Sequence, residues 1–127
     1  KLKSNSAVVA ATSELPLTQD DRVFIREGDR CWFVQVKKIR LLESSGNHTL
    51  IHFGAEKATL YRSLNSMEGR LPQSLFLRAN RSQILNLHDI ASIHPWFSGS
   101  LKAYLTTGEE IELSRRQSLL LRDRSAL

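Results

Sequence analysis

Three short stretches of the chain gather side chains that can hold an anion or read hydrogen-bonding edges. They are Ser45-Gly46-Asn47-His48, Arg78-Ala79-Asn80-Arg81-Ser82 and Ser114-Arg115-Arg116. Arginine can make a bidentate contact to guanine O6 and N7, while Asn, Ser and neutral His can donate or accept at base edges or phosphates. The amides at a helix start can hold a phosphate as well. Each stretch also has a purely structural reading. Ser45-Gly46-Asn47 suits a turn chosen for its backbone angles. Arg78 and Arg81 can pair with Glu43 or Asp89, and Arg115-Arg116 can be a solvated helix face. The third stretch is the most informative, because two cations at the positive end of a helix oppose its dipole. A bound anion would relieve that conflict.

Other chemistries find less support. There is no G-x-S-x-G, P-loop, H-E-x-x-H or paired-Cys motif, so an enzyme is not expected. His48 and His52 share one face of a strand but sit two residue pairs apart. Cys31, His88 and His94 stand at no ligand-like spacing from them. Neither a metal nor another cofactor is expected. The lone Cys31 cannot close an internal disulfide, and beside Trp32 and Phe33 it reads as a buried, inert thiol.

Charge adds a direction. The 127 residues carry 18 Lys+Arg against 13 Asp+Glu, a formal charge of +5. Residues 1–20 are small, polar and neutral, with Lys1 and Lys3 balancing Glu14 and Asp20; they are expected to form a linker or flexible tail. Residues 21–127, the expected domain, hold the whole excess. A basic excess suits a polyanionic partner without identifying it. The chain starts at Lys1 rather than Met, so a piece of a longer protein is expected. No apolar stretch approaches the roughly 18–20 residues of a membrane span, and no secretory signal is visible. A cytoplasmic protein away from membranes is expected.

The elements that must position these residues are mostly strands. Val23-Phe24-Ile25 and Cys31-Trp32-Phe33-Val34 flank a Gly28 turn as a hairpin. Ile39–Glu43 is a short apolar run, followed by the β-branched and aromatic strand His48–Phe53. Ser63 can cap a helix of about two turns that presents Leu64, Met67 and Leu71 on one face, ended by Gly69 and Pro72. Strand-like runs resume at Leu75-Phe76-Leu77, Ile84–Leu87, Ala91-Ser92-Ile93, Leu101–Leu105 and Glu110–Leu113; the alternation of the last marks a half-buried strand. Ser114-Arg115-Arg116-Gln117 has the spacing of a capping box, and Leu119-Leu120-Leu121 and Leu127 can dock the helix it opens. The expected fold is mainly β: antiparallel sheets of short strands and hairpins, with one short internal helix and a C-terminal helix.

In this order and at these intervals the pieces resemble the LytTR family of bacterial DNA-binding domains. The resemblance rests on Ile39–Thr49, Arg62-Ser63-Leu64, Phe76–Leu87, Ile90, Ile93, and Gly108 through Ser114-Arg115-Arg116, nearly the whole of the folded part. It implies a mainly β fold whose loops enter the major groove of double-stranded DNA, acting as the effector module of a transcription regulator in a two-component system. It also implies a receiver or sensor domain upstream, absent from this chain, and a dimer on DNA. Carried over residue by residue, the family's base contacts fall on His48, Arg81 and Arg116. Asn47, Arg78, Asn80, Ser82, Ser114 and Arg115 are secondary or phosphate contacts. The sequence departs from the family at Asn80, where a His is common. Asn can still bridge adenine N6 and N7, so base preference rather than binding would change. The rival expectation from another class is a protein-interaction module whose basic patch binds an acidic partner.

Overall fold

The computed structural model describes residues 16–127. Its centre is a five-stranded antiparallel sheet in the order β5-β4-β3-β7-β6. These strands are β3 (Ile39–Ser45), β4 (His48–Phe53), β5 (Glu56–Leu60), β6 (Phe76–Asn80) and β7 (Gln83–Asn86). A hairpin of β1 (Arg22–Glu27) and β2 (Arg30–Gln35) and helix α1 (Leu64–Glu68) lie against one face. A three-stranded sheet of β8 (Ile90–Pro95), β9 (Leu101–Leu105) and β10 (Glu110–Leu113), with helix α2 (Arg115–Arg124), covers the other.

A central sheet covered on both faces explains the continuous apolar runs. Neighbouring side chains in a strand point to opposite faces, so each apolar pair serves two cores. Leu42, Phe76 and Ile84 enter the core under the hairpin and α1. Leu41, Leu77 and Leu85 enter the core beneath β9, β10 and α2. β10 has one solvated face, and its alternate exposed and buried residues agree with the expectation. Strand twist is adjusted by bulges in β3 between Ile39 and Leu41 and in β6 between Arg78 and Asn80.

Three buried polar residues fasten the pieces. Asn86 donates from Nδ2 to the Lys37 and Ile39 carbonyls at 3.1 and 2.9 Å, and its Oδ1 accepts from the His88 amide at 2.9 Å. Thr49 Oγ1 donates to the Arg62 carbonyl at 2.8 Å. Ser118 Oγ accepts the Leu101 amide at 2.9 Å and donates to the Ser114 carbonyl at 2.8 Å. Every one joins segments distant in sequence or a helix to a strand.

Several local expectations need correction. Cys31 is exposed, because β2 alternates: Trp32 turns inward against Phe53 while Cys31 and Phe33 face out. On α2 only Ser118 and Leu121 are buried; Leu119 and Leu120 are exposed, since a helix rotates about 100° per residue and presents a narrow stripe, and Leu127, beyond the end of the helix, is exposed as well. Leu17, Gln19 and Asp20, counted from sequence with the leading tail, are tied to the domain. The Leu17 amide donates to the Arg70 carbonyl at 2.7 Å, the Lys37 amide to the Gln19 carbonyl at 3.0 Å, and Lys37 Nζ meets Asp20 at 3.0 Å. The rest of that expected tail, residues 1–15, lies outside the described residues.

Candidate nucleic-acid interface

The fold brings the three sequence stretches to one end of the molecule. β3 and β4 meet there in a turn in which Gly46 has φ +63°, a conformation that favours glycine. β6 and β7 turn at Arg81 and Ser82 beside it, and the Ser44 amide donates to the Ser82 carbonyl at 2.8 Å. The third stretch is fastened to the second: the Ser114 amide donates to the Ala79 carbonyl at 2.8 Å, and Asn80 Nδ2 donates to the Glu112 carbonyl at 2.7 Å. The helix start therefore stands next to the Arg81 turn. The capping box is only half made as expected. Ser114 Oγ accepts the Gln117 amide at 3.2 Å, but the Ser114 amide is committed to β6 rather than to the Gln117 side chain.

Within this cluster the residues divide into builders and free groups. Arg78 is a builder. Its Nε donates to the Asn80 carbonyl at 2.7 Å and its Nη2 to the Arg81 carbonyl at 2.6 Å, while Nη1 meets Asn65 Oδ1 at 2.8 Å and Glu68 Oε1 at 2.6 Å. It pairs with neither Glu43 nor Asp89, and its guanidinium is spent on shaping the turn and tying it to α1. Asn80 is a second builder: Oδ1 accepts the Ser82 amide at 2.8 Å, and Nδ2 also reaches Gln83 Oε1 at 2.9 Å. The expected contacts at Arg78, Asn80 and Ser114 are thus engaged inside the protein.

Arg81, Arg115 and Arg116 are different. All three are exposed, and none makes a side-chain hydrogen bond or ion pair among the described residues. Asn47 and the Ser82 hydroxyl are exposed beside Arg81. His48 is half-buried, its Nδ1 3.4 Å from Asn47 Oδ1 and its ring 5.4 Å from that of Tyr61. A shallow concavity lined by Asn47, His48, Ser63, Asn65, Arg78 and Arg81 joins the first two stretches. Most of its lining side chains are polar, and Arg81 among them is unpaired among the described residues, so it can accept an anionic, hydrogen-bonding surface. Among the described residues no group of three or more His, Cys, Asp or Glu is arranged to hold a metal, and no helix is long and apolar enough to cross a membrane.

Sequence reasoning missed a part of this edge. Arg62 is exposed without an ion pair among the described residues, and Tyr61, 78% exposed, leans on His48. Both follow β5 and precede α1, where only the pairing of β5 with β4 puts them beside His48. A polar relay behind the Arg81 turn was also hidden. Gln83 Nε2 donates to Glu43 Oε2 at 2.8 Å, and Glu43 Oε1 lies 2.8 Å from His52 Nε2. Through Gln83 this relay steadies Asn80 from the neighbouring strands.

Comparison with known proteins agrees with the fold and identifies the family. The family model described as the LytTr DNA-binding domain matches residues 29–125. The chain is 31% identical over 112 residues to the sensory transduction protein LytT of Enterococcus faecalis, covering 87% of this chain and 43% of that protein. It is 30% identical over 99 residues to the transcriptional regulatory protein NatR of Bacillus subtilis, covering 72% of this chain and 42% of that protein. The chain thus spans less than half the length of these curated relatives. A solved LytTr DNA-binding domain of a protein described as a methyl-accepting/DNA response regulator, from Bacillus cereus, shares the fold. Its TM-score is 0.76 at 24% identity, over 84% of this chain and 98% of that one.

Proposed function

The chain belongs to the LytTR family of DNA-binding domains, carried by transcriptional regulators, and from that premise we propose that it reads double-stranded DNA in a sequence-specific way. The observation that carries the reading is the gathering of three sequence-distant turns, each with an unpaired donor group, at one edge. Arg81 and Arg116 offer bidentate donors to guanine, and His48 a single ring nitrogen to a base edge. Arg115, Asn47, Ser82 and Arg62 hold phosphates, which fix the register of the protein on the duplex. Arg78, Asn80 and Ser114 act one step back, by holding the loops in shape.

The expected consequences are specific. In a selection from random duplexes, Arg116→Ala should lose about 1–3 kcal/mol of binding and flatten preference at one base position. An unchanged base preference in that variant would remove Arg116 from the reading role. With about 4–6 phosphate contacts, log affinity should fall against log salt with a slope near −4 to −5. A complex insensitive to salt would argue against nucleic acid as the partner. As the effector module of a larger regulator, the chain would be joined to a receiver or sensor domain that brings two copies together on adjacent sites. Alone it should occupy one site as a monomer, which sedimentation of the complex would check.

A further inference from the structure

One exposed aromatic group beside the reading edge has no role in the contacts above. Phe97 stands 74% exposed on the turn between β8 and β9. The turn is rigid. The Trp96 amide donates to the Ser100 carbonyl at 2.9 Å, and the Ser100 amide and hydroxyl reach the Phe97 carbonyl at 3.0 and 2.6 Å. Ser98 is held at φ +55°, alone among the described non-glycine residues in that region, and Gly99 follows at +82°. Such a backbone persists only where its surroundings over-determine it. Trp96 supplies the base of the turn. Its ring is 4.9 Å from that of Phe97, and the Lys102 ammonium sits 4.0 Å over it, itself held by Glu110 at 2.7 Å. Phe97 is therefore a fixed apolar knob, and covering it would cost little ordering entropy.

Its place in the fold is as telling as its rigidity. Leu101 stands opposite Pro95 in one ladder and opposite Leu113 in the other. The β8–β9 turn thus lies at the end where α2 begins, and Leu101 is bonded to Ser118 of that helix. Gln117, Leu120 and Arg124 line the cavity on the α1 side of α2. At about 100° per residue, Arg115, Leu119 and Arg122 fall on the other flank. Both arginines are exposed without an ion pair among the described residues, and Leu119 is 58% exposed.

We propose that the Trp96–Ser100 turn is an additional contact to the duplex. Phe97 packs on the sugar edges of the minor groove that flanks the major groove entered by Arg116, with Arg115 and Arg122 on the adjoining phosphates. The inference rests on the DNA reading above and names a contact that reading does not contain. The chemistry favours this occupant over a protein. An apolar knob with one leucine nearby, rimmed by unpaired cations, is too small for the core of a protein interface. It suits a surface that alternates phosphates with apolar sugar edges; minor-groove proteins likewise present Phe and Leu to the duplex, there as wedges between base steps.

The test compares the wild-type chain with Phe97→Ala and Phe97→Leu on the duplex that the wild type enriches from a random pool. Two lengths are used, one extending a half-turn beyond the selected bases on each side and one trimmed to them. On the long duplex Phe97→Ala should bind about five- to tenfold more weakly, with Phe97→Leu between it and the wild type. The salt slope and base preference should not move, because no cation and no reading group is removed. On the trimmed duplex the three chains should bind alike. Equal binding of wild type and Phe97→Ala to the long duplex overturns the inference, as does a loss that persists undiminished on the trimmed one. So does a loss seen only when two copies occupy one duplex, which would mark a contact between proteins. Matching melting transitions of the three chains keep a folding defect from imitating the effect. A wild type that enriches no duplex sinks the DNA reading itself, whereas wild-type binding indifferent to Phe97 sinks only this contact.

Discussion

The two ends of the central sheet use arginine in opposite ways. At the end far from the β3–β4 turn, Arg40 is nearly enclosed. Its Nε and Nη2 both donate to Glu109 Oε2, at 3.1 and 3.0 Å, and its Nη1 donates to the Gly54 carbonyl at 2.9 Å. Arg30 there pairs with Glu56 at 2.9 Å and lies over the Trp32 ring. At the β3–β4 end Arg81, Arg115 and Arg116 are exposed without side-chain partners among the described residues, and Arg78 is spent on holding the loop that carries Arg81. A guanidinium facing a carboxylate inside the protein stabilises the fold. One left unpaired among other cations stabilises nothing locally and is available to an anion brought from outside. Net charge cannot separate these uses, because both ends contain arginine; the location of the acidic partners does.

The largest expected effect tests the far end. Arg40→Ala leaves Glu109 partly buried without its partner and frees the Gly54 carbonyl. It should lower stability by about 2–3 kcal/mol, less than a fully buried pair would lose because Glu109 keeps some contact with water. Urea denaturation would measure it. DNA affinity of the still-folded variant should equal that of the wild type. A variant that lost affinity while keeping its stability would erase the distinction between the ends. Arg116→Ala should give the mirror image, with binding lost and the urea midpoint unmoved.

Much of this was legible in the sequence, and the failures share a cause. The caps at Ser63 and Ser114 were readable because each depends on residues three positions away, and both caps form. The Gly28 hairpin and the alternation of β10 were readable for the same local reason. The partners of Arg78 were not. Glu68 and Asn65 reach it from α1, and only the packing of α1 beside β6 and β7 brings them near. Cys31 was misjudged because a run of apolar neighbours predicts burial only if both faces of the strand are covered, and the β1–β2 hairpin is covered on one. That the three stretches act together followed from the family resemblance; residue spacing alone left their structural readings open. The structure decides between builders and free groups, and that distinction depends on distances no sequence pattern encodes.

A middle-sized effect falls on the boundary between the two uses. Asn80→Ala removes the acceptor of the Ser82 amide and the donor to Gln83 and the Glu112 carbonyl. It should cost about 1–2 kcal/mol of stability, as loss of a half-buried hydrogen-bonding node does. It should also weaken DNA binding several-fold, because the Arg81 turn and the start of α2 lose their common anchor. Protection of the Ser82 amide from hydrogen exchange would distinguish the causes. Fast exchange with weakened binding fits a builder, whereas unchanged protection with altered base preference would make Asn80 a reading group after all.

The smallest effect concerns acid at the far end. Burial pushes the Asp89 carboxyl up, although Arg40 and His88 pull the other way. Burial acts on Glu109 too, but the Thr107 hydroxyl, a backbone amide and Arg40 outweigh it and leave that carboxyl below the usual range. The signs are opposite. Glu109 contributes stability above its unfolded value that is lost as pH falls through its folded one. Asp89 contributes stability only in acid, lost as pH rises through its folded value, so its charge is a net burden at neutral pH. Asp89→Asn should therefore raise stability slightly at neutral pH, an effect kept small by the solvent contact this half-buried group retains. The gain should shrink toward zero as pH drops below the ordinary aspartate range. Urea midpoints across that range would show it. A gain that grew in acid would mean Asp89 supports Arg40 as a second partner, and the far end would then hold its arginine by two carboxylates rather than one.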